Sequence, residues 1–425
     1  MRYYYALLLF VVMLHMAPIL NVFGRLPGGR TVYLVDTFTL IPIFMTLIYF
    51  PSRQKIGKYR FSVLDWSVIA FGAYSLLSIL LYFQPNNPSD INAYFYGVHY
   101  FVLPIFCYFA VKMLALPEQE KLRRAILYLN LFALLFGLWV FYDRPAFYTA
   151  FLETTVFDFN VSEEWQSYSR LQSYFGSTAV GTICASSLVL ATLNSNWKKV
   201  LPIAMPILLL SVALSRQRGG MLASLFAMGY ILFLKRENIS YRILISSVTL
   251  LLLLAALFLF DSRYTGTFEA VYQRSTSEMS EAFTARGYAP GLEYIQEFPL
   301  GVGIGGTSSA AYSAGLARMG QVVDANFMRI MADLGIFGLA LFLFILFTAC
   351  RLALKKEQGL GWVALIGTFC LVCLGTNTLD SHYISHLFYI FLGMIDSAPT
   401  VQAKKPLPQT LTPGETSSTL RQAHA

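Results

Sequence analysis

The chain is built from apolar runs separated by short polar breaks, and that pattern restricts it to a bundle of membrane-crossing helices. A helical span needs roughly 20 mostly apolar residues to cross the hydrocarbon core. Runs of that kind fall at 4–23, 31–50, 63–83, 97–115, 125–142, 173–192, 200–215, 219–234, 243–260, 334–350, 361–376 and 385–396, about twelve in all. The run at 200–215 is short, and the last is short and ends in Asp396. Only 13% of residues are charged, against about 25% in a soluble domain. The first run is too long for the core of a signal peptide and lacks a small-residue cleavage site, so it reads as a retained span. The expectation is an all-α integral membrane protein.

Charge then gives the orientation. Lysine-rich segments lie around Arg53–Arg60, Lys121–Arg124, Lys198–Lys199, Lys235–Arg242 and Arg351–Lys356, and in the tail at Lys404 and Lys405. They alternate so that both termini and every one of these segments fall on the cytoplasmic side, as the positive-inside bias requires. Lys112 sits at the inner end of the fourth span, where its stem can snorkel to the surface. The opposite side holds Arg25, Arg30, Arg144, Arg170, Arg216, Arg218, Arg263, Arg274, Arg286, Arg318 and Arg329, and no lysine. Arginine without lysine suits a surface that grips phosphate or pyrophosphate through planar, bidentate donors. The bias alone would also keep lysine off that side. The net charge of +8 marks orientation rather than a nucleic-acid partner. The five cysteines lie in apolar stretches, which argues against a disulfide framework or a zinc site; Cys370 and Cys373 read as packing residues.

Four regions follow. Residues 1–260 hold spans one to nine, and 261–333 form a large outer loop with short helices. Residues 334–397 hold spans ten to twelve, and 398–425, rich in Pro, Ser and Thr, read as a disordered cytoplasmic tail. A second outer segment, 143–172, mixes aromatics with acids and suits the membrane interface.

The candidate chemistry is on the outer side. Arg216 and Arg218 stand in Leu214-Ser215-Arg216-Gln217-Arg218-Gly219-Gly220, a hairpin between two spans. Two guanidinium groups beside a Gly-Gly, where backbone can approach closely, suit an anion cradle; a membrane anchor is the plainer reading. Arg286 opens a stretch that runs through Phe298-Pro299-Leu300-Gly301-Val302-Gly303. Its glycines follow no βαβ pattern, which excludes a dinucleotide fingerprint. Asp324, Asn326 and Arg329 precede or open a helix that re-enters the membrane. Asp324 is placed to act as a general base or to orient an acceptor hydroxyl, and Asp or Asn there equally suits a helix cap. Asp380, His382 and His386 occupy the last outer turn. The two histidines share a helical face but lack the further ligands a metal needs, which favours hydrogen-bonding or acid–base roles.

The Ser-Arg hairpin, the stretch from Arg286 to Gly303 and the helix Asn326…Leu334-Gly335-Ile336-Phe337-Gly338-Leu339 occur in that order. Together they resemble the O-antigen ligase/polymerase family of bacterial envelope enzymes. Arg170-Leu171-Gln172-Ser173-Tyr174-Phe175-Gly176 also resembles that family's segment before the sixth span. The resemblance covers roughly 165–395. It implies a GT-C-type glycosyltransferase in the bacterial inner membrane, working on the periplasmic face. The implied partners are an undecaprenyl-diphosphate-linked glycan, a glycan or lipid acceptor and membrane lipid, with no nucleic acid. The family's hairpin arginine carries over to Arg216, with Arg218 beside it, and its loop arginine to Arg286. The ligase-type pattern has a His-Asn pair before the re-entering helix, where this chain has Asp324, Ala325 and Asn326. That departure favours a polymerase over a ligase acting on lipid A core.

The expected mechanism follows from charge. Releasing a diphosphate develops negative charge, which Arg216, Arg218 and Arg286 would stabilise, while Asp324 handles the acceptor proton. A single displacement inverts the anomeric centre, and arginines make a divalent metal or other cofactor unnecessary. Arg170, Arg218, Asn326, Arg329, Asp380 and His382 are the expected substrate-binding residues. A lipid-linked sugar transporter or flippase is the rival of another class. Such proteins place ionisable groups at mid-membrane, whereas Asp65 and Lys112 here sit near span ends.

Overall fold

The computed structural model describes residues 2–24, 37–48, 61–82, 88–143, 145–147, 171, 173–174, 177–194, 197–215, 217–234, 288–307, 323 and 325–399. Among them there is no strand; the described residues are all-helical. Among the described residues, five helices are long and apolar enough to cross a membrane: Val63–Leu81, Ala93–Lys112, Leu116–Asp143, Lys198–Ser215 and Asn326–Ala353. Shorter apolar helices accompany them. The expected span at 243–260 lies outside the described residues, as do the loop segments 261–287 and 308–322 and the tail from residue 400.

In chain order the helices are α1 (Arg2–Gly24), α2 (Thr37–Ile48), α3 (Val63–Leu77, extended by the 3-10 turn Ser78–Tyr82), α4 (Pro88–Phe101), α5 (Ile105–Lys112), α6 (Leu116–Asp143) and α7 (Ser177–Leu193). After these come α8 (Trp197–Ser215), α9 (Arg218–Leu234), α10 (Tyr288–Glu297), α11 (Asn326–Ala353), α12 (Gly359–Gly375), the 3-10 turn Thr378–Asp380, and α13 (His382–Ser397). Helix α7 packs against α8, α9 and α12, while α11 packs against α3, α10, α12 and α13, and α13 against α5. Small residues make the tightest crossing. A side chain on Gly181 of α7 would meet the Gly220 backbone of α9 at 2.8 Å, the small-residue packing that lets membrane helices approach without a hydrophobic drive.

Local rules explain where helices start and bend. Ser62 caps α3: its hydroxyl accepts from Asp65 N at 3.1 Å, and its own N–H donates to Asp65 Oδ2 at 2.6 Å. This reciprocal pairing satisfies two otherwise orphaned N–H groups. Helix α11 begins at Asn326, ahead of the span expected at 334–350, and bends at Gly335 (φ 67°, ψ −171°). That region is open essentially to glycine alone. The backbone groups freed by the bend find partners in the preceding loop. Val302 N donates to Ala332 O (2.9 Å), Gly303 N to Asp333 O (2.8 Å) and Ile336 N to Pro299 O (3.3 Å). The Tyr74 hydroxyl from α3 covers Leu334 O at 3.0 Å. A Cβ at position 335 would lie 2.4 Å from Pro299 O. Gly335→Ala is therefore expected to cost about 1–3 kcal/mol, read as a lower unfolding temperature of the purified protein. An unchanged midpoint would contradict the bend.

At the helix ends away from the candidate site, Lys112 departs from the snorkelling expectation. Its ammonium bonds Asp65 Oδ1 at 2.6 Å and also Asp396 Oδ2, with only 9% of the side chain exposed. The Tyr108 hydroxyl lies 2.8 Å from both of those carboxylate oxygens, Ser62 Oγ donates to Asp396 Oδ2 (3.0 Å), and Lys356 Nζ donates to Asp396 O (3.0 Å). A buried ammonium is tolerated where carboxylates pair it and further hydrogen bonds satisfy those carboxylates. The cluster ties α3, α5, the α11–α12 turn and α13 together on the side opposite the candidate site.

Candidate active site

The site is assembled around one short turn. Helix α12 ends at Gly375, and Leu374, Thr376, Asn377 and Thr378 offer polar groups to three other segments. Gln217, between Arg216 and Arg218, donates through Nε2 to Thr376 Oγ1 at 3.2 Å. Asn326 donates through Nδ2 to Thr376 O (3.0 Å) and Thr378 Oγ1 (3.1 Å), with Cys373 Sγ at 3.4 Å. Arg329 donates from a terminal guanidinium nitrogen to Asn377 Oδ1 at 3.1 Å. The Tyr288 hydroxyl donates to Leu374 O at 2.8 Å; burial raises the phenol pKa and keeps it a donor. One further link joins the set, from Leu171 N to Leu214 O at 2.9 Å.

These bonds bring together the chain neighbours of nearly every candidate. Arg170, Arg216, Arg286 and Asp324 themselves lie outside the described residues, as do Arg25, Arg30, Arg144, Arg263, Arg274 and Arg318. Yet Leu171, Gln217 and Ala325 each follow one of those candidates directly, and Tyr288 follows Arg286 by two. Arg218 begins α9 and Asp380 ends the 3-10 turn, their side chains also lying outside the description. Asn326 is the first residue of α11; its N-cap is Ala325, which makes no side-chain cap. Asn326 thus bonds the turn rather than capping its own helix. The Gly219-Gly220 pair, read from sequence as room for a bound anion, has neighbouring helices close by: Val372 O lies 3.3 Å from where a Gly219 Cβ would stand, and α7 abuts Gly220.

Arg329 and Asp333 form the interior half of the site. Arg329 is 1% exposed and Asp333 fully buried. The Arg329 Nε lies 3.4 Å from Asp333 Oδ2, and its guanidinium carbon sits 5.3 Å from the Phe101 ring centre, within cation–π range. Asp333 Oδ2 accepts from Gly305 N (3.0 Å), and Oδ1 accepts from Thr307 N (3.0 Å) and the Thr307 hydroxyl (2.7 Å). Ile304 N donates to Ser78 Oγ at 3.3 Å. A side chain on Gly97 of α4 would meet the Ile304 backbone at 2.5 Å. The glycine-rich loop Gly301–Thr307 is therefore clamped between α3, α4 and α11, with Asp333 as its central acceptor. Asp333, Gln217 and the Thr376–Thr378 turn were given no role by sequence reasoning. The signal available was an acid four residues after Arg329 on the same helix, and a Thr-Asn-Thr run interrupting apolar sequence.

His382 opens α13. Its ring lies 4.5 Å from that of Tyr100 at 21°, a stacked pair, and 6.1 Å from His99, edge-on. His386 faces Thr39 Oγ1 at 3.4 Å and the His382 carbonyl at 2.5 Å.

No curated protein matched the chain. Residues 203–343 match the family model described as O-Antigen ligase. That stretch runs from α8 into α11 and contains Arg216, Arg218, Arg286, Asp324, Asn326 and Arg329. On that match, residues 203–343 of this multi-pass membrane protein are similar to the O-antigen ligase family.

Proposed function

We propose that the chain is a membrane glycosyltransferase that polymerises undecaprenyl-diphosphate-linked glycan repeat units on the periplasmic face of the bacterial inner membrane. The family match over 203–343, which contains the hairpin and loop arginines, is the observation that carries this reading. In it, Arg216 and Arg286 neutralise the leaving diphosphate, with Arg218 and Arg170 in support. Asp324 takes or orients the acceptor hydroxyl proton, while Asn326, Arg329, Asp380 and His382 serve the substrate side. Charge that develops only in the transition state is met by groups already in place, usually the largest contribution in such sites. The displacement inverts the sugar C1 centre and asks for no metal. About twelve spans in a GT-C-type arrangement, with the large loop 261–333 over the site, complete the proposal. The inner charge cluster on Lys112 supports a fixed outer site over an alternating carrier, because it knits the inner helix ends together.

A ligase that transfers finished glycan to lipid A core is the second reading, favoured by the description of the matched family. In a deletion strain complemented with the gene, single repeat units on the carrier or acceptor mark a polymerase. Full-length polymer held on undecaprenyl diphosphate marks a ligase. Arg216→Ala and Arg286→Ala, correctly inserted, are each expected to lower glycan yield about 100-fold or more, the usual scale for one charge-stabilising donor. Normal yield and chain length from both variants would defeat the proposal.

A further inference from the structure

Both ring nitrogens of His382 are shielded from solvent and have no hydrogen-bond partner among the described residues. Buried polar atoms are ordinarily satisfied, and an exception asks for a partner from elsewhere. A neutral imidazole offers one donor and one acceptor, on the two sides of Cε1 in a flat ring. The surroundings are aromatic: Tyr100 stacks on the imidazole, His99 stands edge-on to it, and Tyr96 lies 5.7 Å from Tyr100 and 6.4 Å from His99 between ring centres. Aromatic walls with a few placed polar atoms are the usual make-up of a small-ligand site.

The position ties this group to the candidate site. Tyr100 and Phe101 are consecutive on α4; the first carries His382 and the second lies under Arg329. Gly97, one turn earlier on α4, rests against the clamped loop at Ile304 and Gly305. His382 itself follows the Thr376–Thr378 turn to which Gln217, Asn326 and Arg329 bond.

We propose that His382, walled by Tyr96, His99 and Tyr100, is a sugar-ring subsite on the acceptor side, in which the two imidazole nitrogens bond hydroxyl groups of the glycan. A sugar hydroxyl both gives and takes a hydrogen bond, so hydroxyls on the two sides of the ring match its one donor and one acceptor. The placement on the acceptor side rests on the transferase reading above; the recognition of hydroxyls does not.

The test uses full-length protein labelled with 15N at histidine, of which the chain has five. The probe is lipid-free repeat-unit oligosaccharide released from the host's own surface glycan. The expected result is a saturable shift of the His382 ring nitrogens. His382→Phe, which keeps a flat ring and removes both nitrogens, should bind about tenfold or more weakly, and His382→Gln should keep part of the affinity. Unmoved His382 signals at saturating oligosaccharide would overturn the subsite, as would wild-type affinity in His382→Phe. If His382 shifts but the wild-type protein transfers nothing from a lipid-linked donor, the transferase reading falls and the sugar subsite stands. Transfer with an unmoved His382 removes the subsite alone.

Discussion

Asp333→Ala is expected to lose glycan product and to unfold at a clearly lower temperature. The wild-type carboxylate accepts from Gly305 N, Thr307 N and Thr307 Oγ1 and faces the buried Arg329. Alanine leaves three donors without their acceptor and a guanidinium without its counter-charge. Removing one partner of a buried pair costs about 3–5 kcal/mol. Asp333→Asn keeps an oxygen for the Thr307 hydroxyl but turns an N–H toward Gly305 or Arg329, so an intermediate loss is expected. The double variant Arg329→Met/Asp333→Leu removes both charges and should recover most of the melting temperature. It should not recover product, because Gly305 and Thr307 no longer have the Asp333 carboxylate to bond. Thermal unfolding in detergent and polymer yield in cells check this together. Wild-type values for both in Asp333→Ala would show that the clamp does nothing.

The second large effect belongs to the opposite face. Lys112→Met leaves Asp65 and Asp396 facing each other beside Tyr108 without the ammonium that both bond. A cost of about 3–5 kcal/mol is again expected, visible as poor accumulation in the membrane and a lowered unfolding temperature. Adding Asp65→Asn and Asp396→Asn to Lys112→Met should restore part of that loss. Molecules that do fold should keep their transfer rate per molecule, because the cluster is remote from the Thr376–Thr378 turn. The two predictions are thus opposites: product falls further than stability for Asp333, and stability further than product for Lys112. A Lys112→Met protein that is stable but inactive would mean that the inner cluster takes part in the chemistry.

Sequence by itself determined the class of fold. Apolar runs interrupted by charged breaks leave the backbone no other way to satisfy its polar groups in lipid than by helices. The ordered arginine motifs also pointed to the likeness found over residues 203–343, because they are local in sequence. The choice of partners was not legible. Asp333 looked like an ordinary acid in a re-entering helix, and only the folded chain sets Gly305 and Thr307 against it. Lys112, Asp65 and Asp396 lie far apart in sequence and looked like three unrelated span ends. Thr376, Asn377 and Thr378 gave no motif at all, since a polar turn is a common way to end a helix. What makes them a hub is that Gln217, Asn326, Arg329 and the neighbouring Tyr288 reach Leu374–Thr378 from three separate segments. Periodicity and charge bias act along the chain and can be read from it. Pairing between buried polar groups depends on which helices pack side by side, and that was decided by the tertiary structure alone.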